Sequence, residues 1–429
     1  MNEVGEIDWK SISQVAADLD QSYFVIQGPP GTGKTYSSAK AILDLVRNGH
    51  RIGIAANTHN AVEQLLSEIA DHASDFGFTN AEPLTVLHKP RDGVDSAFRS
   101  TTSAVTVTAK TDNNKVSIET PHHHIVAGTS FLFTSTAMRQ TVDILFIDEA
   151  GQLSFADTLG ASLSAKNLVL VGDPQQLKQP TKAAHPGHSG LSGLEYINQE
   201  ADVVPPDYGV LLNITRRMHP AITSFISEQV YESKLNSEDR CAVQYIGGDD
   251  GLSGSGLRWI PVEHVGRSTY SPEECDKIVG LYYDMIGRSF TDKDGISRPM
   301  TSEDLFVIAP YNHQTHKLRQ GLLAHQKASS SGVTDEVVKR RVGTVDKAQG
   351  DEAPVVIISY TSSSAEDVPR GMEFHYSKNR FNVAVSRAKA LAIVVANPRL
   401  LDVTCKTIEQ VKLANMLCRY AEVADTVIL

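Results

Sequence analysis

Cysteine is scarce and scattered here: Cys241, Cys275, Cys405 and Cys418 are the four among 429 residues, and no two form a C-x-x-C pair. Such spacing argues against a zinc or iron–sulfur site and against a disulfide framework. No run approaches the ~18 consecutive apolar residues of a membrane span. The opening Met1-Asn-Glu-Val-Gly-Glu is acidic and lacks the apolar stretch of a signal peptide. These absences lead us to expect a cytoplasmic enzyme with no membrane partner. Positive charge is also in deficit, with 40 Lys plus Arg against 51 Asp plus Glu and a net charge of −11. Bulk attraction to nucleic acid is not expected from that balance, although a local basic groove can still follow a phosphate backbone. Lys339, Arg340, Arg341 and Lys347, with Lys89, Arg91 and Arg99, are the candidates, each weighed against the ordinary reading as a solvated charged face.

What the chain does carry is length and apolar content, 41% hydrophobic residues against 21% charged, enough for two or three domains of ordinary size. It also carries Gly28-Pro-Pro-Gly-Thr-Gly-Lys34-Thr35, a match to the phosphate-loop pattern G-x-x-x-x-G-K-[ST]. Tyr23–Ile26 supplies the preceding apolar strand. Ser37 to Arg47 supplies the following helix, with Ala39, Ile42, Leu43 and Val46 at helical spacing. Gly28, Gly31 and Gly33 let backbone N–H groups turn inward, Pro29 and Pro30 stiffen the entry, and Thr32 completes the loop. Lys34 is expected to reach the phosphates and Thr35 to offer its hydroxyl to Mg²⁺, at the positive end of the helix dipole.

Strand-like runs recur at Tyr23–Ile26, Arg51–Ala55, Ile125–Ala127, Ile144–Ile147 and Leu168–Val171, separated by helical patterns such as Ala61 to Ala70. This alternation predicts a parallel sheet covered by helices. A Thr-rich, turn-punctuated segment at 79–121 reads as a small β-leaning insertion. The polar run Ala201 to Tyr208 reads as a hinge, and strands at Leu305–Ala309, Arg341–Thr344, Val355–Ser359 and Leu391–Val395 rebuild a second sheet. The expected domains are 1–204 and 205–429.

Two further strand ends bear chemistry. Ile144-Leu-Phe-Ile147 runs into Asp148 and Glu149, where Asp148 could hold Mg²⁺ opposite Thr35 and Glu149 could polarise an attacking water. The bland alternative is an acidic turn capping the next helix. Leu168-Val-Leu-Val171 runs into Gly172-Asp173-Pro174-Gln175-Gln176, and a glutamine there could sense the γ phosphate. Alone, that turn would be weak.

Taken in order, these motifs are joined by Thr215-Arg-Arg217-Met-His-Pro220, Val342-Gly-Thr-Val345-Asp346-Lys-Ala-Gln349-Gly350-Asp-Glu352 and Asn382-Val-Ala-Val-Ser-Arg387-Ala. The series resembles superfamily 1 helicases, most closely the 5′-to-3′ branch that includes the RNA-surveillance helicase of nonsense-mediated decay and the nuclease-linked replication helicases. It is also similar to the helicase half of bacterial proteins with a RecB-like nuclease upstream. The resemblance implies an α/β protein with two RecA-like parallel-sheet domains in tandem, the small insertion lying in the first, and ATP with Mg²⁺ bound between them. It assigns Arg217 and Arg387 to the γ phosphate, a role that suits the planar, permanently charged guanidinium. It assigns Glu352 to the ribose and leaves Gln27, Gln14 or Gln21 for the adenine edge. Tyr36, just inside the helix, is added as an expected nucleotide contact.

For the strand, the resemblance points to Asn57, Thr58, His59 and Asn60, to Thr129 and Ser130, and in the second half to Tyr311, Asn312, Thr344 and Asp346. Small hydroxyl and amide groups suit backbone binding without sequence reading. Tyr311 is weighed against simply capping the following helix. The triplet His122–His124 is not read as a metal site, because neighbours on a strand point to opposite faces. Two departures stand out: Arg216 occupies a position usually held by a base-stacking tyrosine, and Ala348 one often held by an aromatic. The expectation is an ATP-dependent helicase moving 5′-to-3′ on single-stranded nucleic acid, DNA favoured over RNA, with a nuclease module as a possible companion in the same polypeptide or complex. An ATP-switched nucleic-acid clamp is the alternative, and a small-molecule P-loop kinase a third choice.

Overall fold

The computed structural model describes residues 8–91, 93–179, 186–199, 201–326, 328–348 and 350–428. Gln349 of the fifth motif lies outside them. The chain divides into two compact units, Met1–Asn213 and Ile214–Leu429.

In the first unit, eight strands form one sheet: β1 Tyr23–Gln27, β2 Ile52–Ala56, β3 Leu84–His88, β4 Val105–Ala109, β5 Ile125–Thr129, β6 Val142–Ile147, β7 Ala165–Gly172 and β8 Gly209–Leu211. Their order is β4-β3-β5-β2-β6-β7-β1-β8, and every pairing is parallel. Alternate residues of a strand face opposite sides of a sheet, and both sides are buried here. Phe24 and Ile26 enter the core formed with the helices Lys34–Arg47 and His59–His72, whereas Val25 enters the core on the other side with Leu145 and Ile147. That double burial explains why these strands read as unbroken apolar runs.

Two readings change. The segment 79–121 does not stand apart: β3 and β4 within it lengthen the main sheet at its edge. The run 201–208 belongs to the first unit rather than forming a free hinge. Gln27 inside the sheet bonds to the backbone at Asp202 and Val204, Tyr23 stacks on Tyr208, and β8 then pairs with β1.

The second unit holds a six-stranded sheet: β9 Gly256–Pro261, β10 Leu305–Ile308, β11 Val342–Gly343, β12 Ala353–Ser359, β13 Ala388–Ala396 and β14 Asp425–Thr426. Their order is β11-β10-β12-β13-β9-β14, again parallel throughout. Leu305, Val307, Val355, Ile357, Leu391 and Ile393 pack with the helix Pro272–Met285 on one face. Both large sheets are thus RecA-like in kind, open and parallel with helices packed on them.

Candidate nucleotide and nucleic-acid sites

A parallel sheet brings all its strand C-terminal ends to one edge, where ligand-binding loops gather. In the first unit the residues after β1, β7 and β6 are neighbours on that edge, so Gly28, Asp173 and Asp148 stand side by side in that order.

The phosphate loop is tied down where it leaves β1: the Gly28 N–H donates to the Gly172 carbonyl at 2.9 Å. Pro29 and Pro30 are buried, and Thr32 donates its hydroxyl to the Pro29 carbonyl at 2.8 Å. Gly31 and Gly33 take φ of 76° and 78°, the left-handed region that glycine enters without strain. Gly33 is the N-cap of the helix Lys34–Arg47, so that helix presents its free N–H groups to the loop. The Lys34 ammonium lies within the loop, donating to the Gly28 carbonyl at 2.6 Å. Thr35 is the second residue of the helix. Tyr36 is exposed, edge-on to His72 with Lys40 over its ring.

Asp148 is buried and accepts the Glu149 N–H at 2.9 Å. Burial, then the neighbouring Glu149 charge, push its carboxyl above the usual carboxylate range, with Lys34 opposing. Glu149 itself adopts φ 51°, a conformation costly for a residue with a Cβ, and accepts the Gln152 side-chain amide at 3.3 Å. A buried carboxyl that feels the Lys34 charge, together with the Thr35 hydroxyl on the residue after that lysine, offers hard oxygen donors of the kind Mg²⁺ takes. Asp173 is the hub of the next turn. It accepts from the Gln176 amide at 2.9 Å, from the Gln175 N–H at 3.1 Å and from the Gln27 amide at 3.4 Å.

The reading of Gln27 as an adenine contact needs correction on these grounds. Its side chain is fully buried, its nitrogen donates to the Asp202 carbonyl at 2.9 Å, and its oxygen accepts the Val204 N–H at 2.7 Å. It ties the chain at 202–204 to β1. Gln14 and Gln21 are both exposed, Gln14 donating to Asp18.

In the second unit the two family arginines converge on one segment. Arg217 donates Nε to Glu352 at 2.6 Å and Nη1 to the Ser386 carbonyl at 3.2 Å. Arg387, buried, donates Nε to the Val383 carbonyl and Nη1 to the Asp351 carbonyl, both at 3.1 Å. Arg216 points elsewhere, 3.7 Å from Glu238. Glu352 also takes the Lys389 ammonium at 2.7 Å. Burial works against its ionisation, but the Arg217 charge and the Lys389 hydrogen bond bring its carboxyl down to about 2. Lys389 went unnoticed in the sequence, because its partner lies thirty-seven positions away and no pattern links them.

The loops expected to meet a nucleic-acid strand divide in character. Thr58 caps the helix His59–His72, accepting the Ala61 N–H at 3.3 Å; Asn57 and His59 are half-buried and Asn60 is exposed. Thr129 ends β5 and Ser130 is buried at the start of the next short helix. Asn312 is exposed at the start of the helix Asn312–Ala324. Tyr311 is instead buried, stacked on Phe374 and His375, so its ring is not offered to a strand. Asp346 is held in a two-pronged pair with Arg380 at 3.0 Å, which removes it as a simple backbone contact. Thr344 is half-buried beside it, and Ala348 is buried. Of the basic cluster, Lys339 pairs with Asp335, while Arg340 and Arg341 pair with Glu303. The histidines 122–124 precede β5 rather than lying on it; His124 accepts the Thr85 N–H and His123 meets the Glu119 carbonyl.

An AAA domain family model matches residues 10–185, and another, also described as an AAA domain, matches residues 192–399. The helicase mov-10-B.1 of Danio rerio is 27% identical over 90% of this chain and 40% of its own length. The DNA replication ATP-dependent helicase/nuclease JHS1 of Arabidopsis thaliana is 25% identical over 89% of this chain and 28% of its own. The DNA-binding protein SMUBP-2 of Mesocricetus auratus is 24% identical over 88% and 41%. This chain thus spans well under half the length of these curated relatives. Among solved structures, the arterivirus nonstructural protein 10 helicase aligns with a TM-score of 0.44 at 15% identity, covering 88% of this chain and 59% of that one. The ordered motifs and these relatives support a superfamily 1 helicase, and the 5′-to-3′ branch is consistent with them.

Proposed function

We propose that this chain is the motor portion of an ATP-driven helicase that moves 5′-to-3′ along single-stranded nucleic acid, DNA in preference to RNA. The observation that carries the reading is the alignment on one sheet edge of the phosphate loop, Asp173 and Asp148, together with a second unit in which Arg217 and Arg387 meet on one segment. In this reading the first unit supplies the phosphate loop and the second supplies the arginines that act on the γ phosphate. Lys34 and the loop N–H groups bind the β and γ phosphates. Thr35 and Asp148 would hold Mg²⁺, which supplies charge neutralisation at the phosphoryl oxygens. Glu149 orients the attacking water and takes its proton. Gln176, fixed on Asp173, reports the phosphate to the turn it stands on. Arg217 and Arg387 stabilise the charge that spreads over the γ-phosphoryl group as it passes from ADP to water, an effect worth roughly 10³–10⁵ in rate for arginine fingers elsewhere. The exposed Asn60 and Asn312, with Thr344, grip sugar and phosphate, and a nuclease module is the proposed companion.

Duplex displacement tests this. We expect 5′-tailed duplexes to be opened while 3′-tailed ones are not, and Glu149→Gln to abolish both opening and hydrolysis. Hydrolysis stimulated by a strand with no displacement of either duplex would favour the clamp; intact hydrolysis in Glu149→Gln would remove the base assignment.

A further inference from the structure

Glu352 stands at the entry to β12, and it and its two chain neighbours touch both arginines by different means. The Asp351 carbonyl accepts from Arg387, the Glu352 carboxylate accepts from Arg217, and the Ala353 N–H donates to the Arg387 carbonyl at 3.0 Å. The carboxylate is shared: one oxygen lies 2.6 Å from Arg217 Nε and the other 2.7 Å from Lys389 Nζ. The backbones carrying those two cations are themselves joined. Gln244, buried, donates its side-chain amide to the Arg217 carbonyl at 2.8 Å and to the Lys389 carbonyl at 3.3 Å. The far side of the Arg217 guanidinium reaches the Ser386 carbonyl at the C-terminal end of the helix Lys378–Val385, where the helix dipole favours a cation. Arg217 and Lys389 therefore share one carboxylate, Arg387 holds the carbonyl next to it, and beyond Glu352 the Arg217 side chain rests on the Ser386 carbonyl.

We propose that Glu352 is the positioning residue for Arg217, with Lys389 as the second anchor that keeps its carboxylate in place. The proposal rests on the ATP-hydrolysing reading above and gives Glu352 a task other than the ribose. A long side chain loses rotamer freedom when it is ordered. Holding Arg217 before the nucleotide arrives removes that loss from the catalytic step and fixes the guanidinium where charge develops. Lys389 matters because it holds the second carboxylate oxygen, which keeps Glu352 oriented toward Arg217 and, by sharing its charge, weakens its competition with phosphate for the guanidinium.

The two roles for Glu352 differ in kinetics. Steady-state hydrolysis of ATP and 3′-deoxy-ATP is measured in the presence of saturating single-stranded DNA, for the wild-type chain, Glu352→Gln, Glu352→Asp, Lys389→Met, Arg217→Ala and the Glu352→Gln/Arg217→Ala double variant. Positioning predicts that Glu352→Gln lowers kcat about 10²-fold, the loss expected from a misplaced catalytic group, with KM and the preference for ATP over 3′-deoxy-ATP within twofold of wild type. Glu352→Asp recovers part of the rate and Lys389→Met loses part of it. The double variant is no slower than Arg217→Ala, because Glu352 acts only through Arg217. A raised KM with unchanged kcat and lost discrimination against 3′-deoxy-ATP would overturn the proposal in favour of a ribose contact. So would losses that multiply in the double variant. A wild-type chain that hydrolyses no ATP with any polynucleotide overturns the reading beneath, and the proposal with it.

Discussion

A methyl group on Gly28 would overlap the Lys34 side chain at Cγ and Cδ, and would come within 3.2 Å of the Thr32 hydroxyl. Those atoms are near the root of the lysine, so the whole side chain would have to move. Gly28→Ala is therefore expected to weaken ADP or ATP binding at least tenfold, about 1.4 kcal/mol, with a melting temperature near that of wild type. Titration with a fluorescent ADP checks it, and wild-type affinity would contradict it. The same scale shows what residue type alone conceals. The placement of Lys34, Asp148 and Glu149 past the ends of β1 and β6 was legible because each follows an apolar strand at a fixed offset. Gln27 and Asp346 were misread because their roles depend on what lies opposite them: the 202–204 backbone for one and Arg380 for the other. Glu352 was legible as a family position, but not its bond to Arg217 across 135 positions.

Among the elements, the ends of β10 and β12 and the helix Lys378–Val385 enclose an aromatic cluster of Tyr311, Tyr360, Phe374, His375 and Phe381. His375 is buried in it, and among the described residues its Nε2 has no hydrogen-bond partner. Burial lowers its pKa from the ordinary 6.5 to about 3, so the folded chain keeps it neutral. The unfolded chain binds a proton there below about 6.5, and the folded one does not until about 3. Its contribution to stability is thus present above 6.5 and is lost as pH falls through that window, by at most about 1.4 kcal/mol per pH unit. His375→Phe should flatten this acid limb, read from urea melts of the second unit's transition at pH 7 and pH 5. An unchanged pH slope would contradict the assignment. Strands β1, β2, β5 to β7 and β10 to β13 were legible to within a residue or three because double burial makes them largely apolar, whereas β9 at Gly256–Pro261 was not read. β3 and β4 were not placed, since Thr-rich strands at a sheet edge carry no signal of which neighbour they join.

At the scale of the whole molecule, an acidic chain with a net charge of −11 is proposed to walk on a polyanion. Much of its sequence-clustered basic charge is spent internally, since Arg340, Arg341 and Lys339 are all paired with carboxylates. Strand binding must then rest on few phosphate contacts, which predicts a shallow dependence of affinity on salt. With a slope of about −0.7 per neutralised phosphate for single strands, a steep loss corresponding to six or more contacts would contradict that picture. Fluorescence anisotropy of a labelled oligonucleotide across a salt series measures it. Strand-end motifs such as Gly28–Thr35, Asp148–Glu149 and Gly172–Gln176 made the first sheet legible; which polar loop residues are exposed and which are buried needed the fold.

The account stands or falls on whether a nucleic-acid strand drives hydrolysis. Steady-state ATPase of the chain, with and without single-stranded DNA or RNA and with Lys34→Ala as the blank, measures this directly. The account predicts a many-fold stimulation by single strands, larger with DNA than with RNA, and none in the variant. A rate that no polynucleotide changes would contradict it.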